Sequence, residues 1–491
     1  MNFVLRMLSA LIFSGILAFT AFSKYDHEIG TEAFPEGTQR YQPYLPSMLL
    51  PIMIVMMFCI GVPKAGFSQT LDFVASFCFG IFLTLSAYYL ILSLLLPLLR
   101  RRYSARGCAM LWIVPNYLYI MAQDFMSLPE PLVVIRPGNV IFRYLVLIWF
   151  AGFLAVLGWK IIEHLRFRRR ILCDAAPITD PQVLEVWNQE ILQSGIQKPK
   201  FRLVSSAQVQ TPLTIGCFRR TTCVVLPERI YSPDELALVL RHELIHICRE
   251  DSTNKFFLVF CTAVCWFNPL MWIAMRRSAE DLELSCDESV LLDADDDTRR
   301  QYADLILSTT ADERGFTTCL SASASALRYR LKQIIRPKKA RSGALIVGLA
   351  FFLLCMSCGY VAISFEETTG KDAIFQGSEN YLDNSEYRIS SIRYSDAQGA
   401  YLTHCTSEAS LREYLAAIPM SRLSGNYSFD ANKSLIVILL GPDGGYGVTL
   451  SDSTVSILPL SGERSKKIVY YVPSDIDWQH ILSFMESSNV S

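Results

Sequence analysis

The stretch RHELIHICRED at residues 241–251 has the residue types and spacing of a metal-dependent hydrolase. His242 and His246 are four residues apart, so on a helix both imidazoles project from one face and can share a metal ion. Glu243 can take a proton from water that the metal activates. A chance match on an amphipathic helix is the alternative, but the chain has only six histidines. We interpret His242 and His246 as zinc ligands and Glu243 as the general base.

A catalytic zinc ion usually has three protein ligands and one open position, so a third ligand is needed. The stretch AEDLELSCDESVLL at residues 279–292 is rich in carboxylates and is predicted to be helical. Glu283 and Asp287 share one face of that helix, so Glu283 could bind zinc while Asp287 hydrogen-bonds a zinc-binding imidazole. An ordinary solvated acidic helix is the alternative reading. The other carboxylates of the stretch also stay open as ligands: Glu280, Asp281 and Glu288.

Two elements must position the motif. Ser232 is the expected N-cap of its helix, Pro233 occupies the first turn, and Glu235 completes a capping box. Upstream, TPLTIGCFRRTTCVVLP at residues 211–227 is predicted to form two short strands. One strand could pair with an extended substrate beside the metal, and a purely structural hairpin is an equal alternative.

Residues 256–275 are as apolar as a transmembrane helix. A single crossing would leave Glu283 on the opposite side of the membrane from His242. Asn268 and Pro269 are expected to break the segment into two pieces, because proline interrupts a helix. We therefore predict a hairpin that does not cross.

The composition indicates a membrane protein. The chain of 491 residues is 51% hydrophobic, with a mean hydropathy of +0.29. Its formal net charge is −1, which gives no reason to expect direct nucleic-acid binding. Of its 14 cysteines only Cys405 lies in the last 125 residues, so that region has no internal disulfide.

Apolar runs predict six membrane spans, with five as the alternative, at residues 3–23, 46–62, 71–99, 108–126, 139–162 and 343–364. The first run could be a cleaved signal peptide, but further apolar runs follow, so we favour an anchor. Lys and Arg near span ends mark the cytoplasmic side. The basic clusters Arg100–Arg106, Arg166–Arg170 and Lys332–Arg341 are all cytoplasmic only if residues 165–340 are cytoplasmic and residues 365–491 lie outside.

The region 365–491 is predicted to be a small α+β domain. EYRISSIRY and SLIVILLG are strand-like, GPDGG at 441–445 suits a hairpin, and SDIDWQHILSFMES is predicted to be a helix capped by Ser474. No catalytic constellation occurs in it. We expect a sensor domain that binds a ligand or partner, with an inert folding cap as the alternative.

Four motifs occur in order along the chain: TPLTIGCFRRTTCVVLP, HELIH followed by Asp251, WFNPLMW and ELSCDESV. Together they resemble the BlaR/MecR-type membrane antirepressor metalloproteases, which sense β-lactams. The resemblance covers about residues 71–365. It implies a gluzincin-type domain held between transmembrane helices. It also implies that an external signal activates the protease, and that a cytosolic transcriptional repressor is then cleaved directly or indirectly.

By motif, the resemblance assigns zinc to His242, His246 and Glu283, the general base to Glu243, and the carboxylate supporting a ligand to Asp287. The sensor half of the β-lactam receptors differs, because it carries a Ser-x-x-Lys nucleophile. Residues 365–491 contain no Ser-x-x-Lys, so acylation by a β-lactam is not expected. The first 70 residues also look like an addition.

We therefore predict a polytopic α-helical membrane protein with an inserted cytoplasmic zincin-like α+β metalloprotease domain and a small extracytoplasmic α+β domain. The predicted parts are an N-terminal membrane addition with one or two spans (1–70), a region of three spans (71–164), the zinc metalloprotease domain (165–340), the last transmembrane helix (341–364) and the outer sensor domain (365–491).

The predicted activity is that of a zinc metalloendopeptidase that transduces an extracellular signal into proteolysis of a cytosolic regulator. The expected partners are a cytosolic protein substrate of the winged-helix repressor type, membrane lipid and an extracellular ligand. The alternatives are a constitutive membrane quality-control zinc protease and a non-catalytic receptor with a structural zinc site.

Overall fold

The computed structural model of the protein describes residues 2–29, 40–41, 46–118, 131–135, 139–196, 199–216, 221–292, 294–311, 324–337, 341–384, 386–396, 399–423, 432–442, 444–460, 468–474 and 476–487. In chain order its helices are α1 (Asn2–Ile29), α2 (Leu49–Arg102), α3 (Ala105–Leu111), α4 (Asn139–Leu172), α5 (Pro181–Gln193), α6 (Pro233–Cys248), α7 (Asp251–Val264), α8 (Pro269–Val290), α9 (Asp296–Ala311), α10 (Ala324–Ile335), α11 (Ala344–Ser357), α12 (Gly370–Ile374), α13 (Glu408–Ala417) and α14 (Trp478–Ser483).

The strands form two sheets. The first four-stranded sheet contains β2 (Ala176–Pro177), β3 (Arg202–Ser205), β4 (Leu213–Ile215) and β5 (Cys223–Leu226). The second sheet has ten strands: β1 (Val133–Ile135), β6 (Val361–Thr369), β7 (Arg388–Asp396), β8 (Gly399–Cys405), β9 (Pro419–Leu423), β10 (Ser434–Gly441), β11 (Gly444–Ser451), β12 (Thr454–Pro459), β13 (Ile468–Tyr471) and β14 (Met485–Ser487).

Within the part of the chain that the structure describes, three helical segments are long and apolar enough to cross a membrane: Phe3–Ala21 of α1, Phe73–Arg102 of α2 and Arg143–Leu172 of α4. They lie at the predicted spans 3–23, 71–99 and 139–162. Two shorter apolar helices, Leu49–Lys64 and α11, accompany them. These helices expose many large apolar side chains, as expected where lipid rather than water is the neighbour.

Helix α2 reverses direction at Gly66. This glycine has φ 80° and ψ 165°, a conformation outside the helical region that glycine adopts readily. A Cβ on Gly61 would lie 2.7 Å from Cγ2 of Thr70, whereas nine residues along a straight helix cover about 13.5 Å. Helix α2 is therefore a hairpin, with arms at Leu49–Lys64 and Phe73–Arg102.

The predicted span 108–126 is not one long helix in its described part. Helix α3 ends at Leu111 and a short 3₁₀ helix covers Val114–Leu118; residues 119–126 lie outside the described residues. Pro115 has no backbone N–H to continue the hydrogen-bond ladder, which favours this break.

The predicted last span, 343–364, is helical only over α11. The chain turns at Gly359, which has φ 92°, and strand β6 begins at Val361. Parallel pairing of β6 with β1 and antiparallel pairing with β9 satisfy its backbone groups. The domain built on the ten-stranded sheet therefore begins inside the predicted span, and its sheet includes β1 from the first half of the chain.

The apolar segment 256–275 forms the predicted hairpin. Helix α7 ends at Val264 and α8 begins at Pro269, and Oδ1 of Asn268 accepts a hydrogen bond from the backbone N–H of Leu270. Asparagine is a favoured residue at this capping position. The two helices pack against each other, so the ends of the segment lie on the same side of its tip.

The tip of the α7–α8 hairpin is wedged between α2 and α4. Nδ2 of Asn268 donates to Oγ of Ser86 at 2.8 Å. Nε1 of Trp149 donates to the carbonyl of Val264 at 2.8 Å. Ser86 precedes Arg100 by 14 residues, about 20 Å of helix. The hairpin therefore reaches well into the apolar layer.

Two different structures meet the ends of these helices. At one end, the guanidinium of Arg6 on α1 donates to the carbonyls of Cys355 and Cys358 at 2.6 and 2.7 Å, next to β6. At the other end, Oγ of Ser47 donates to Oγ1 of Thr253 at 3.0 Å, before α2 begins. The N-terminal end of α1 therefore lies beside the ten-stranded sheet. The start of α2 lies beside the domain that contains the four-stranded sheet.

The domain around the four-stranded sheet has the strand order β2–β3–β5–β4. Strand β5 is fully buried. It pairs in parallel with β3 and antiparallel with β4. Helices α5 and α6 pack together over a core that includes Trp187, Leu240 and Leu244. This arrangement leaves β4 at the edge of the sheet, alongside α6.

The domain that contains the ten-stranded sheet is of the predicted α+β type, with strand order β1–β6–β9–β13–β12–β11–β10–β7–β8–β14. Strands β10 and β11 form the expected hairpin, with Gly441 opposite Gly444. The predicted cap at Ser474 is wrong. Helix α14 is capped by Asp477 and ends at Ser483, because the following residues pair with β8 as strand β14.

We expect Asn268→Ala to destabilise the folded protein by about 1–3 kcal/mol, because it removes both the helix cap and the bond to Ser86. Asn268→Ser keeps a capping oxygen, so it should lose less stability than Asn268→Ala and about as much as Ser86→Ala. The midpoints of thermal unfolding of the detergent-solubilised variants give their order of stability. Equal midpoints for Asn268→Ala and wild type would contradict this role of the hairpin tip.

Candidate metal centre

The HELIH motif lies on helix α6, whose start has the predicted capping box. Oγ of Ser232 accepts a hydrogen bond from the backbone N–H of Glu235, and the Glu235 carboxylate accepts one from the backbone N–H of Ser232. One turn apart on the same face, His242 and His246 bring their Nε2 atoms to 3.1 Å. The two imidazoles therefore face one shared point.

Glu283 on helix α8 completes a triangle with these imidazoles. Its Oε2 lies 3.5 Å from Nε2 of His242 and 3.7 Å from Nε2 of His246. A tetrahedral metal with bonds of about 2.0–2.1 Å separates its ligand atoms by about 3.3–3.4 Å. The three residues therefore fit such an ion in both spacing and donor type. Their role as ligands stays a prediction, which this geometry supports.

The other three carboxylates of the acidic stretch bind α2 and α3 instead. Asp281 accepts a hydrogen bond from Nε of Arg100 at 2.7 Å, and Glu280 lies 3.7 Å from the same guanidinium. Glu288 accepts one from the backbone N–H of Arg106 at 3.1 Å. These three carboxylates were the alternative ligands that the sequence left open, and their described contacts are with α2 and α3 and not with the imidazoles.

A hydrogen-bond partner on Nδ1 orients each imidazole. Oδ2 of Asp251 lies 2.7 Å from Nδ1 of His246. The hydroxyl of Tyr302, on α9, lies 2.8 Å from Nδ1 of His242 and donates to Oδ1 of Asp287 at 2.7 Å. When Nδ1–H donates in each ring, Nε2 carries the lone pair that a metal ligand needs.

The expected direct hydrogen bond from Asp287 to an imidazole is replaced by an indirect one. Oδ1 of Asp287 is 3.5 Å from Nδ1 of His242, too far for a good N–H···O bond. The hydroxyl of Tyr302 bridges the two groups. Asp287 therefore supports His242 through Tyr302.

Glu243 is buried between α6 and strand β4. Oγ1 of Thr214 on β4 donates to Oε2 of Glu243 at 2.7 Å. Within the described residues, β4 pairs only with β5, so its other edge carries no strand. An edge strand beside the general base is where an extended substrate backbone can add. This geometry favours the substrate-pairing reading of residues 211–227, of which 217–220 lie outside the described residues.

Cys286 is a further possible metal donor. Its Sγ and ring nitrogens of His242 and His246 all lie within 4.8 Å of one another. The thiol donates to the backbone carbonyl of His242 at 3.3 Å. Four protein ligands would close the site, as in structural zinc sites, whereas His242, His246 and Glu283 alone leave a position open. We assign Glu283 as the third ligand because its distances match a tetrahedral ion.

The surrounding charges keep the Glu283 carboxylate ionised. Burial would raise its pKa, but His246 and Lys255 hold the pKa of Glu283 well below its usual range. Burial would lower the pKa of His242, but Cys286 and Glu283 raise it to about 10. Burial would also raise the pKa of Cys286, yet the two imidazoles hold it below the usual value.

Some residues that contact the predicted ligands and base were given no role by the sequence analysis, although Asp251 was named there within a motif. A carboxylate five residues after the second histidine is a usable signal for Asp251. The other three lie on separate elements that only the fold brings together, so no spacing rule could find them: Thr214, Tyr302 and Arg330.

Comparison with known proteins identifies the part of the chain that carries this site. The family model described as BlaR1 peptidase M56 matches residues 118–334, which include every predicted site residue. The comparisons support a BlaR/MecR-type domain over this part of the chain. It is similar to Regulatory protein BlaR1 of Bacillus licheniformis, at 34% identity over 133 residues, which cover 27% of this chain and 22% of that protein.

A second similar protein is the methicillin resistance mecR1 protein of Staphylococcus aureus, at 26% identity over 153 residues, which cover 30% of this chain and 25% of that protein. The chain thus spans about a quarter of the length of these curated relatives. A match to a metallopeptidase family implies a metallopeptidase domain at residues 118–334, and the apolar helices are consistent with a membrane protein.

We expect Glu283→Gln to weaken zinc binding by more than about 100-fold, because loss of groups that merely support a ligand already costs about 10–100-fold. Cys286→Ser should retain zinc. Affinity measured against a competing chelator tests both. The cobalt-substituted protein should lack the near-ultraviolet thiolate charge-transfer band; its presence in wild type and loss in Cys286→Ser would assign Cys286 as a ligand instead.

We expect Thr214→Val to slow proteolysis about tenfold at unchanged zinc content. The reason is that Glu243 loses the hydroxyl that orients it, while a general base contributes about 10²–10⁴-fold in all. Thr214→Ser keeps the hydroxyl and should stay near the wild-type rate. Cleavage of a cytosolic extract by the purified variants measures this. A slow Thr214→Ser variant would point to packing of β4 instead of the hydrogen bond.

Proposed function

We propose that the chain is a membrane-embedded zinc metalloendopeptidase that transduces an extracellular signal into proteolysis of a cytosolic regulator. The observation that carries the proposal is the triangle of His242, His246 and Glu283, with Glu243 held beside it by edge strand β4. A structural zinc site needs neither a base nor an open substrate edge. This combination supports catalysis over a purely structural metal.

The residues divide the chemistry of peptide hydrolysis among them. His242, His246 and Glu283 would hold the zinc ion, which when bound supplies Lewis acidity to the attacking water and the scissile carbonyl. Glu243 accepts the proton from the attacking water and delivers it to the leaving amine. Strand β4 aligns the substrate backbone beside Glu243, and the Nδ1 partners of the imidazoles keep both rings in the ligand orientation.

The proposed topology has the M56 domain in the cytoplasm and the ten-stranded sheet outside, on a multi-pass membrane core in contact with lipid. It is supported by the basic residues at the inner ends of α2 and α4, which adjoin the M56 domain. Pairing of β1 with β6 further supports a common outer side for residues 133–135 and 361–363. The span count proposed from these contacts is six.

The proposed substrate is a cytosolic repressor of the winged-helix type, and the proposed input is a ligand of the outer sheet. The support is the regulatory name of the BlaR1 relative and the methicillin-resistance name of the mecR1 relative. The absence of Ser-x-x-Lys from residues 365–491 argues for an input that is recognised non-covalently.

The test compares cells that produce the wild-type chain with cells that produce Glu243→Gln. Quantitative N-terminal proteomics should detect cleavage of a cytosolic DNA-binding regulator in wild type, reduced about 10²–10⁴-fold in the variant. Metal analysis should find zinc in both purified proteins. Glu228→Gln, an exposed carboxylate between β5 and α6, is the control and should cleave like wild type.

Each other outcome identifies a different function. Equal cleavage by Glu243→Gln and wild type would refute the catalytic assignment. Cleavage of many damaged membrane proteins, without a cytosolic regulator among the products, would indicate a quality-control protease. Zinc in both proteins without any cleavage product would indicate a receptor with a structural metal.

A further inference from the structure

Helix α10 contributes a cation to the metal centre from outside the four recognised motifs. Nε of Arg330 donates to Oδ2 of Asp287 at 2.6 Å, and its Nη2 donates to Oδ1 of Asp287 at 2.8 Å. The same Nη2 lies 3.9 Å from Oε2 of Glu283. The side chain of Arg330 is 23% exposed and that of Asp287 only 4%. A two-point, largely buried contact of this kind is directional, so it fixes the carboxylate plane.

The contact continues from Arg330 to a predicted metal ligand. Asp287 accepts from the Tyr302 hydroxyl, and the oxygen of Tyr302 accepts from Nδ1–H of His242. Arg330 thus orients Asp287, and Asp287 orients Tyr302. Tyr302 in turn orients the His242 imidazole. Without Arg330, the buried Asp287 carboxylate would keep Tyr302 as its remaining partner and would lose its fixed orientation.

The residue that precedes Arg330 on helix α10 contacts helix α2. The ring of Tyr329 packs against the guanidinium of Arg100, 5.6 Å from the ring centroid, at the end of α2. After α10 the chain reaches Arg341, whose backbone N–H donates to the carbonyl of Arg102 at 3.1 Å, and then enters α11. Neighbouring residues on α10 therefore contact the metal centre and the inner end of a membrane helix.

We propose that Arg330 is a positioning residue that completes the metal centre only while α10 is docked. It does so by holding Asp287, which orients His242 through Tyr302. The inference rests on the proposed protease function, whose regulation it describes: a shift of α11 that displaced α10 would loosen His242 without touching a metal ligand.

The test measures zinc affinity and the visible spectrum of the cobalt protein, both in a Glu243→Gln background, so the readouts need no proteolysis. Arg330→Gln should weaken zinc binding about 10–100-fold and shift the cobalt spectrum. Arg330→Lys should recover part of the affinity, because an ammonium can still bind Asp287. Arg328→Gln, an exposed arginine two residues away on α10, is the matched control and should behave like the parent.

A double-mutant cycle tests the route through Tyr302. Tyr302→Phe removes the bridging hydroxyl, so Arg330→Gln should add little to its effect on affinity and spectrum. Full additivity would overturn the route, and wild-type affinity in Arg330→Gln would overturn the proposal. If Arg330→Gln does not fold, Arg330→Lys and Tyr302→Phe still supply the cycle.

Linkage supplies a second measurement on the parent protein. If docking of α10 favours metal binding, metal binding must favour docking of α10 by the same factor. Zinc should therefore slow amide hydrogen exchange in residues 324–335 of the parent and not in Arg330→Gln. Exchange that is unaffected by zinc in the parent would overturn the coupling. Loss of proteolysis alone would count against the proposed function. Zinc affinity, the cobalt spectrum and hydrogen exchange would still test the role of Arg330.

Discussion

The architecture depends on one requirement, that the Glu283 carboxylate must reach the same point as the imidazoles of His242 and His246. The chain between them is apolar enough to cross a membrane, yet a single crossing would separate the ligands. The α7–α8 hairpin meets both conditions by entering the apolar layer and returning. Its tip satisfies its polar groups internally, through Asn268 to Ser86 and Trp149 to Val264, as a break in a helix within lipid requires.

Helix α8 consequently serves two functions with one set of acidic residues. Glu283 and Asp287 face the metal centre, while Asp281 and Glu288 contact the junction of α2 and α3. Asp281 is fully buried, and a buried charge needs a partner; here Arg100 supplies one and Nε1 of Trp112 a second hydrogen bond. The distances among the metal-binding atoms are thereby tied to the position of the membrane helices.

The sequence predicted the parts of the site that follow a helical period. His242, Glu243 and His246 share one helix, and Glu283 and Asp287 share another, so spacing alone indicates common faces. It could not identify Tyr302 or Arg330, since contacts between separate helices leave no local pattern. For the same reason, the sequence could not show that the Tyr302 hydroxyl lies between Asp287 and the His242 imidazole, where a direct hydrogen bond was expected.

Errors in the fold prediction have a similar origin. Hydropathy marked residues 343–364 as one span, because apolar β-strand residues and apolar helix residues have the same hydropathy. Val361, Ala362 and Ile363 are apolar, yet they pair in parallel with β1, which a local reading cannot anticipate. The helix predicted to start at Ser474 is shorter than expected for the same reason. It ends at Ser483, because Met485–Ser487 pair with β8.

That pairing bears on how an outer signal could reach the metal. Three residues separate the end of α11 from the start of β6, and three separate β1 from α4, so short connections join the ten-stranded sheet to both helices. Coupling between distant sites amounts to about 1–3 kcal/mol in typical cases. Loss of support behind a metal ligand costs about 10–100-fold in affinity, or roughly 1.4–2.7 kcal/mol. These magnitudes are similar, so the proposed displacement of α10 and Arg330 would change metal affinity by about as much as typical coupling between distant sites does.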